Sequence, residues 1–323
     1  MPLIEPSGFR PARGLENGHL QTIWPTLFRR VPLITHERKR LELEDNDFLD
    51  LDWARHDVSQ KLVIITHGLE SNSRDTTVQG MAGAFFANGW DVLAWNMRGC
   101  SGEPNRLPRF YHSGATEDLS AVVDHAMAAY RYEKVALVGF SLGGNLTLKY
   151  LAETRREPVI AAVTFSVPCN LQSSVERLDR AENQVYTRRF IRSLRAKILT
   201  KKLLFPDHFD VTRLEKMRTF REFDSAYTAP LHGFSSAEDY WQQSSCGPLL
   251  GDIPIPTLLV NARNDPFLTP PCFPESTAAS SDFLHLEIPA SGGHCGFVSS
   301  ATETTRWHEL RAVLFVDEKS DPS

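Results

Sequence analysis

The stretch KVALVGFSLGGN, residues 134–145, joins an apolar, β-rich run to a sequence with helical spacing through Gly139-Phe140-Ser141-Leu142-Gly143. A G-x-S-x-G in that setting reverses the chain sharply between strand and helix, which strains the serine backbone and exposes its hydroxyl. Only glycine-sized neighbours let the two elements approach so closely. The first helical turn aims N–H groups and a partial positive charge at an oxyanion forming beside the serine. Ser141 is the candidate nucleophile.

Outward from this stretch, LVIIT (62–66), DVLAWN (91–96), VIAAVTFS (159–166), PTLLVN (256–261) and FLHLEI (283–288) are short, β-rich and apolar on both faces, as buried parallel strands are. Between them VQGMAGAFFANG (78–89), EDLSAVVDHAMAAYR (117–131), LGGNLTLKYLAET (142–154) and TETTRWHELRAVLF (302–315) read as helices. The alternation predicts an α/β fold with a doubly wound, mostly parallel sheet. Ahead of it, ITHERKRLEL (34–43) and FLDLDWA (48–54) alternate apolar with polar residues and predict half-solvated antiparallel strands. Between about Asn170 and Pro254 the pattern turns helical and polar, which marks an insertion over one end of the sheet. The expected organisation is a core of residues 1–169 and 255–323 with a helical lid of residues 170–254.

A serine hydroxyl needs a base to take its proton, and that base needs a carboxylate to orient it. Asp265, in NARNDPF (261–267), lies just past the C-terminal end of a core strand, where catalytic groups collect. Asp252 and Asp282 are at the wrong ends of their strands. His294, in GGHCGF (292–297), follows the last core strand in a glycine-flexible loop that can reach Ser141. His285 lies inside a strand, and His308 is expected at a surface position of the last helix. Cys295, beside the base, lacks the strand–turn–helix setting of a nucleophile. The loop after the first core strand, His67-Gly68-Leu69-Glu70, offers the Leu69 amide as a second oxyanion donor beside the Leu142 amide. His67 itself reads as a loop-ordering residue.

These segments, with NGHLQTIWP (17–25), THGLESNS (66–73), NMRGCSGEPNR (96–106), YHSG (111–114) and APLHGF (229–234), resemble the α/β-hydrolase superfamily over nearly the whole chain. The resemblance is to its YheT-like bacterial branch, related to eukaryotic α/β-hydrolase-domain proteins. It implies an α/β-hydrolase fold and a carboxylesterase-type serine hydrolase, with Ser141 as nucleophile, Asp265 as charge partner and His294 as base. No metal or organic cofactor is required by that chemistry. Arg98 reads as a loop-ordering residue, His112 as a loop-ordering residue that YHSG could alternatively place near the mouth of the site, and Trp24 as the apolar anchor of an N-terminal arm.

Thirty-five basic residues against 40 acidic ones, a formal charge of −5, provide no field to attract nucleic acid. The five cysteines are scattered, without a C-x-x-C pair, which fits a reducing compartment rather than a disulfide framework or zinc site. The sequence shows neither a signal peptide nor a run of roughly 18 apolar residues, so a cytoplasmic location is expected. Inside the insertion, RRFIRSLRAKILTKKLLF (188–205) carries seven basic residues and no acidic one, with Ile191, Leu194, Ile198 and Leu199 at helical spacing. It reads as a lid helix whose greasy face covers an acyl pocket while its charges stay in water, or as a peripheral contact with an anionic lipid surface. The expected substrate is a small ester or a lipid. Lipid-directed hydrolysis, acyl transfer or thioester hydrolysis would use the same residues, whereas a non-catalytic binding protein predicts a broken triad that is not found.

Overall fold

A computed structural model describes residues 3–4, 7–32, 34–300 and 305–320. Its strands are β1 (Leu3–Ile4), β2 (Glu37–Glu42), β3 (Phe48–Ala54), β4 (Lys61–Thr66), β5 (Asp91–Asn96), β6 (Lys134–Phe140), β7 (Val159–Phe165), β8 (Thr257–Val260) and β9 (Leu284–Glu287). They form one sheet in the order β1-β9-β8-β7-β6-β4-β5-β3-β2, parallel except where β3 pairs with β2 and β5. The apolar runs read from the sequence are the strands β4 to β9. The two-residue β1, which extends the sheet beyond β9, is too short to leave a periodic signal.

Alternate residues of the central strands enter opposite cores, as a pleated strand requires. Leu62, Ile64, Val135 and Leu137 pack with Leu119, Val122 and Leu146 from the helices Thr116–Ala129 and Leu142–Glu153. Val63, Ile65, Ala136 and Val138 pack with Met81 and Phe85 of the helix Thr76–Ala87 and with Val313 and Val316 of the helix Trp307–Ser320. Positions 302–304 of the expected last helix lie outside the described residues.

The half-solvated expectation holds for β2 and fails for β3, which is buried throughout. The polar residues of β3 are not facing water. In register across the pair, Arg38 forks onto Asp52 at 2.7 Å and Arg40 onto Asp50 at 2.8 and 3.0 Å. Burial opposes the charge on Asp52, but the bonds from Arg38 and Ser73 outweigh it and hold this carboxyl below its ordinary range. A period-two pattern thus records two dissimilar faces, one of them ionic and covered.

Beyond β5, Arg98 sits in a closed set of acids. It reaches Asp118 through Nε and Nη2 at 2.9 and 2.7 Å, and Asp47 and Asp45 through Nη1 at 2.9 and 2.7 Å. Arg98, Asp47 and Asp118 are all buried, so this side chain ties the loop after β5 to the β2–β3 turn and to the helix Thr116–Ala129. Truncating it leaves buried carboxylates without a counter-charge. Arg98→Ala is expected to cost about 3–5 kcal/mol in urea unfolding; a loss within 1 kcal/mol of zero would show that the network is not structural.

Candidate active site

β6 delivers Ser141 at φ 52 and ψ −119, a conformation few non-glycine residues adopt, and Leu142 begins the following helix. Three glycines make the reversal fit. A Cβ at Gly139 would come to 2.6 Å from the Gly143 carbonyl, one at Gly144 to 2.6 Å from Val167, and one at Gly143 would collide with the carbonyls of Thr66 and His67. The Ser141 N–H donates to the Phe165 carbonyl at 2.9 Å, fastening the turn to β7.

The three candidate residues, from loops far apart in sequence, meet in one hydrogen-bonded line. His294 Nε2 lies 2.9 Å from Ser141 Oγ, and His294 Nδ1 lies 2.9 Å from Asp265 Oδ2. The carboxylate on Nδ1 assigns the ring proton there and leaves the Nε2 lone pair for the serine hydroxyl. Asp265 is fixed in turn: its other oxygen accepts the Phe267 N–H at 2.9 Å, and the Phe267 ring lies 4.1 Å from the imidazole.

The loop carrying His294 is held by residues that the sequence did not single out. Thr22 Oγ1 accepts the His294 N–H at 2.9 Å, and Asn264 accepts that of Gly293 at 3.0 Å. Gln21, wholly buried, accepts the Val298 N–H at 2.6 Å and donates to the carbonyls of Leu15 and Val298. Both belong to the helix Gly18–Phe28. The anchor of the N-terminal segment is therefore Gln21, a hydrogen-bonding residue, and not Trp24, which is half-exposed and rests on Phe28. A glutamine in QTIW has no local signature that would reveal this.

Beside Ser141, Gly68 lies close enough that a Cβ there would touch the Ser141 Cβ at 3.4 Å. Among the described residues, neither the Leu69 nor the Leu142 backbone N–H has a hydrogen-bond partner. His67 is buried, accepts the Met97 N–H at 3.1 Å and orders this loop; burial pushes its pKa down to about 4. His308 is not at the surface as expected. The last helix turns it onto the sheet among Phe165, Phe297 and Phe140, while Leu310 and Leu314 face outward. The Cys295 thiol is pushed far up by burial, which removes it as a thiolate nucleophile. Among the described residues no group of three or more His, Cys, Asp or Glu is arranged to hold a metal.

Ser141 stands where two spaces meet. One, of about 100 Å³, is walled by Leu142, Leu171, Val175, Leu194, Phe220 and Phe223. The other, of about 580 Å³, is a more polar groove bordered by Thr22, Glu70, Arg74, Asp75 and Arg189. Residues 170–254 supply most of the first wall. Their long helix, Gln184–Leu204, departs from the expected arrangement of charges in water. Lys197 is drawn inward to Glu70 at 2.8 Å, and Lys201 to the carbonyls of Asn105, at 2.7 Å, and Leu107. Their spacing of four places them on the stripe of Leu194 and Ile198, so the inner face is partly ionic.

The chain belongs to the α/β hydrolase fold family, which it matches over residues 61–301. It is 36% identical to the esterase-named YheT of Escherichia coli (strain K12) over 94% of this chain and 91% of that protein. It is 28% identical to phospholipase ABHD3 of Mus musculus, over 86% of this chain and 70% of the other. An esterase of Pyrococcus furiosus shares the fold at a TM-score of 0.60 and 16% identity, covering 89% of this chain and 92% of its own. Among the described residues no helix is long and apolar enough to cross a membrane.

A hydroxyl poised on an imidazole reacts with fluorophosphonates. Mass spectrometry is expected to find one adduct per chain, at Ser141, and none in Ser141→Ala. Thr22→Val, which frees the His294 backbone, is expected to slow labelling roughly tenfold or more; an unchanged rate would show that the Thr22 contact does not position the ring.

Proposed function

We propose that this protein is a serine hydrolase that cleaves carboxylic esters through an acyl-enzyme. The observation that carries this reading is the unbroken line from Ser141 through His294 to Asp265, with 2.9 Å at each link. His294 Nε2 takes the Ser141 proton as Oγ attacks the ester carbonyl, and Asp265 steadies the imidazolium. The Leu69 and Leu142 amides receive the oxyanion. The imidazolium then gives its proton to the departing alkoxide, and a water activated by the same ring releases the acid. The apolar cavity takes the acyl group, and the wider groove takes the alcohol part. Esterase-named relatives support the same class of reaction.

Turnover of p-nitrophenyl esters from acetate to palmitate tests it. Ser141→Ala is expected to lose at least ~10³-fold in kcat, and Asp265→Asn about 10⁴-fold. Equal activity of wild type and Ser141→Ala would remove Ser141 from the reaction.

A lipid-directed form of this activity is favoured by a second observation. Leu27 and Phe28, 65% and 61% exposed, and Val185, 70% exposed, stand out on the two helices that flank the groove, with Arg188, Arg189 and Arg192 exposed on the same helix as Val185. Apolar side chains among cations fit the boundary of an anionic bilayer. In flotation with phosphatidylglycerol vesicles, the wild type is expected to rise with the lipid, and a Leu27→Glu/Phe28→Glu variant to stay behind. Equal flotation of both, or of neither, would exclude this contact.

A further inference from the structure

The wall of the apolar cavity is interrupted by one carboxylate. Asp224 lines it with Thr228, and the two residues bound a single π-helical turn, Asp224–Thr228, a distortion frequent at functional sites. Thr228 Oγ1 donates to one Asp224 oxygen at 2.6 Å and Trp241 Nε1 to the other at 2.8 Å. Both donors are neutral. No lysine or arginine pairs with Asp224 among the described residues, although the side chain is only 7% exposed. Burial raises this carboxyl to about 6, so near pH 7.5 a charge persists in a greasy cavity without a counter-ion. Isolated charge in such a place is costly, and a structural role in bonding Trp241 could be filled by an amide.

The same cavity carries unanswered donors. His112 Nδ1 accepts the Gly114 N–H at 3.1 Å, which places the ring proton on Nε2, and Nε2 has no hydrogen-bond partner among the described residues. Ser113 Oγ accepts from Tyr240 at 2.8 Å and keeps its own proton free among those residues. The loop-ordering role read for His112 is thus half of what it does, since it also faces the cavity. Acceptor and donors together describe a hydroxyl, which can give a proton to Asp224 and take one from His112 or Ser113. An ammonium would satisfy Asp224 and leave the His112 N–H unanswered.

From these residues we infer that the cavity selects esters whose acyl chain bears a hydroxyl, held by Asp224 together with His112 and Ser113. This rests on the acyl-enzyme reading above and narrows its substrate class. A cavity of about 100 Å³ admits a chain of only about four to six carbons, so the hydroxyl belongs to a short acyl group.

The test uses ethyl esters in matched pairs at pH 7.5, followed by pH-stat: 3-hydroxybutanoate against 3-methylbutanoate, 3-hydroxypentanoate against 3-methylpentanoate, and 3-aminobutanoate as the cationic member. In wild type, kcat/KM is expected to favour the hydroxylated member of at least one pair by ~10-fold or more, because a site with buried polar groups rejects a partner that cannot bond them. Asp224→Leu is expected to bring that ratio to about one or lower, and Asp224→Asn to an intermediate value. Fluorophosphonate labelling of Ser141 reports separately that each variant has kept its fold. A ratio near one in wild type, a ratio unmoved by Asp224→Leu, or a preference for the ammonium ester each overturns the inference while leaving the serine chemistry intact. Were no ester cleaved, the acyl-enzyme reading would fall by itself. Protection against thermal unfolding by 3-hydroxybutanoate over 3-methylbutanoate, present in wild type and absent in Asp224→Leu, would still decide the site.

Discussion

The close approach of a helix to the end of a strand governs this molecule. Ser141 occupies φ 52 only because Gly139, Gly143 and Gly144 leave no Cβ between β6, its following helix and the carbonyls of Thr66 and His67. Strain of that kind costs of order 1–3 kcal/mol and persists only where the surroundings over-determine it. Here they do. The Ser141 N–H is tied to β7, β6 lies between β4 and β7 at the centre of the sheet, and apolar layers press on both faces. The same contact that strains the serine brings the Leu142 amide beside the turn at Gly68 and Leu69. The geometry of Ser141 and the two amides that are unpaired among the described residues are one structural fact, because moving the helix outward would relax the first and separate the second.

Asp265 and His294 depend on a different support. Asp265 lies five residues past the end of β8, in a turn closed by its own N–H on the Ala262 carbonyl at 3.1 Å, whereas His294 lies seven residues past the end of β9, in a loop with positive φ at Gly292, Gly293, Cys295 and Phe297. Such a loop has little stiffness of its own. Its order is borrowed from Thr22, Gln21 and Asn264, so the N-terminal helix acts as a clamp on the imidazole although it contributes no reacting atom.

What could be read from the sequence divides along this line. β4 to β9 were legible because each is buried on both faces and is apolar in itself, and Ser141, Asp265 and His294 because each directly follows a strand or its loop. Gln21 was not, since its burial is produced by residues some 277 positions away. Nor was the inward turn of Lys197 and Lys201: helical spacing shows which residues share a face, and only the partners, Glu70 and two carbonyls, show which face is inside. The burial of β3 failed for the same reason, because Arg38 and Arg40 on its neighbour remove the need for water around Asp50 and Asp52.

The inward lysines bear on how substrate reaches Ser141. Lys197 joins the long helix of residues 170–254 to Glu70, the residue next to Leu69, and Tyr111 donates to the same carboxylate at 2.8 Å. Lifting the helix would separate this pair, whose two side chains are covered in the closed arrangement. The groove reaches Ser141 past Glu70, whose ion pair with Lys197 stays closed in this arrangement. In the proposed reaction, entry from the groove would place the ester carbonyl at the serine with the acyl chain advancing into the apolar cavity. On that proposal, selection would fall on what the wall accepts, and the polar groups in it, Asp224 and Ser113 among them, would count.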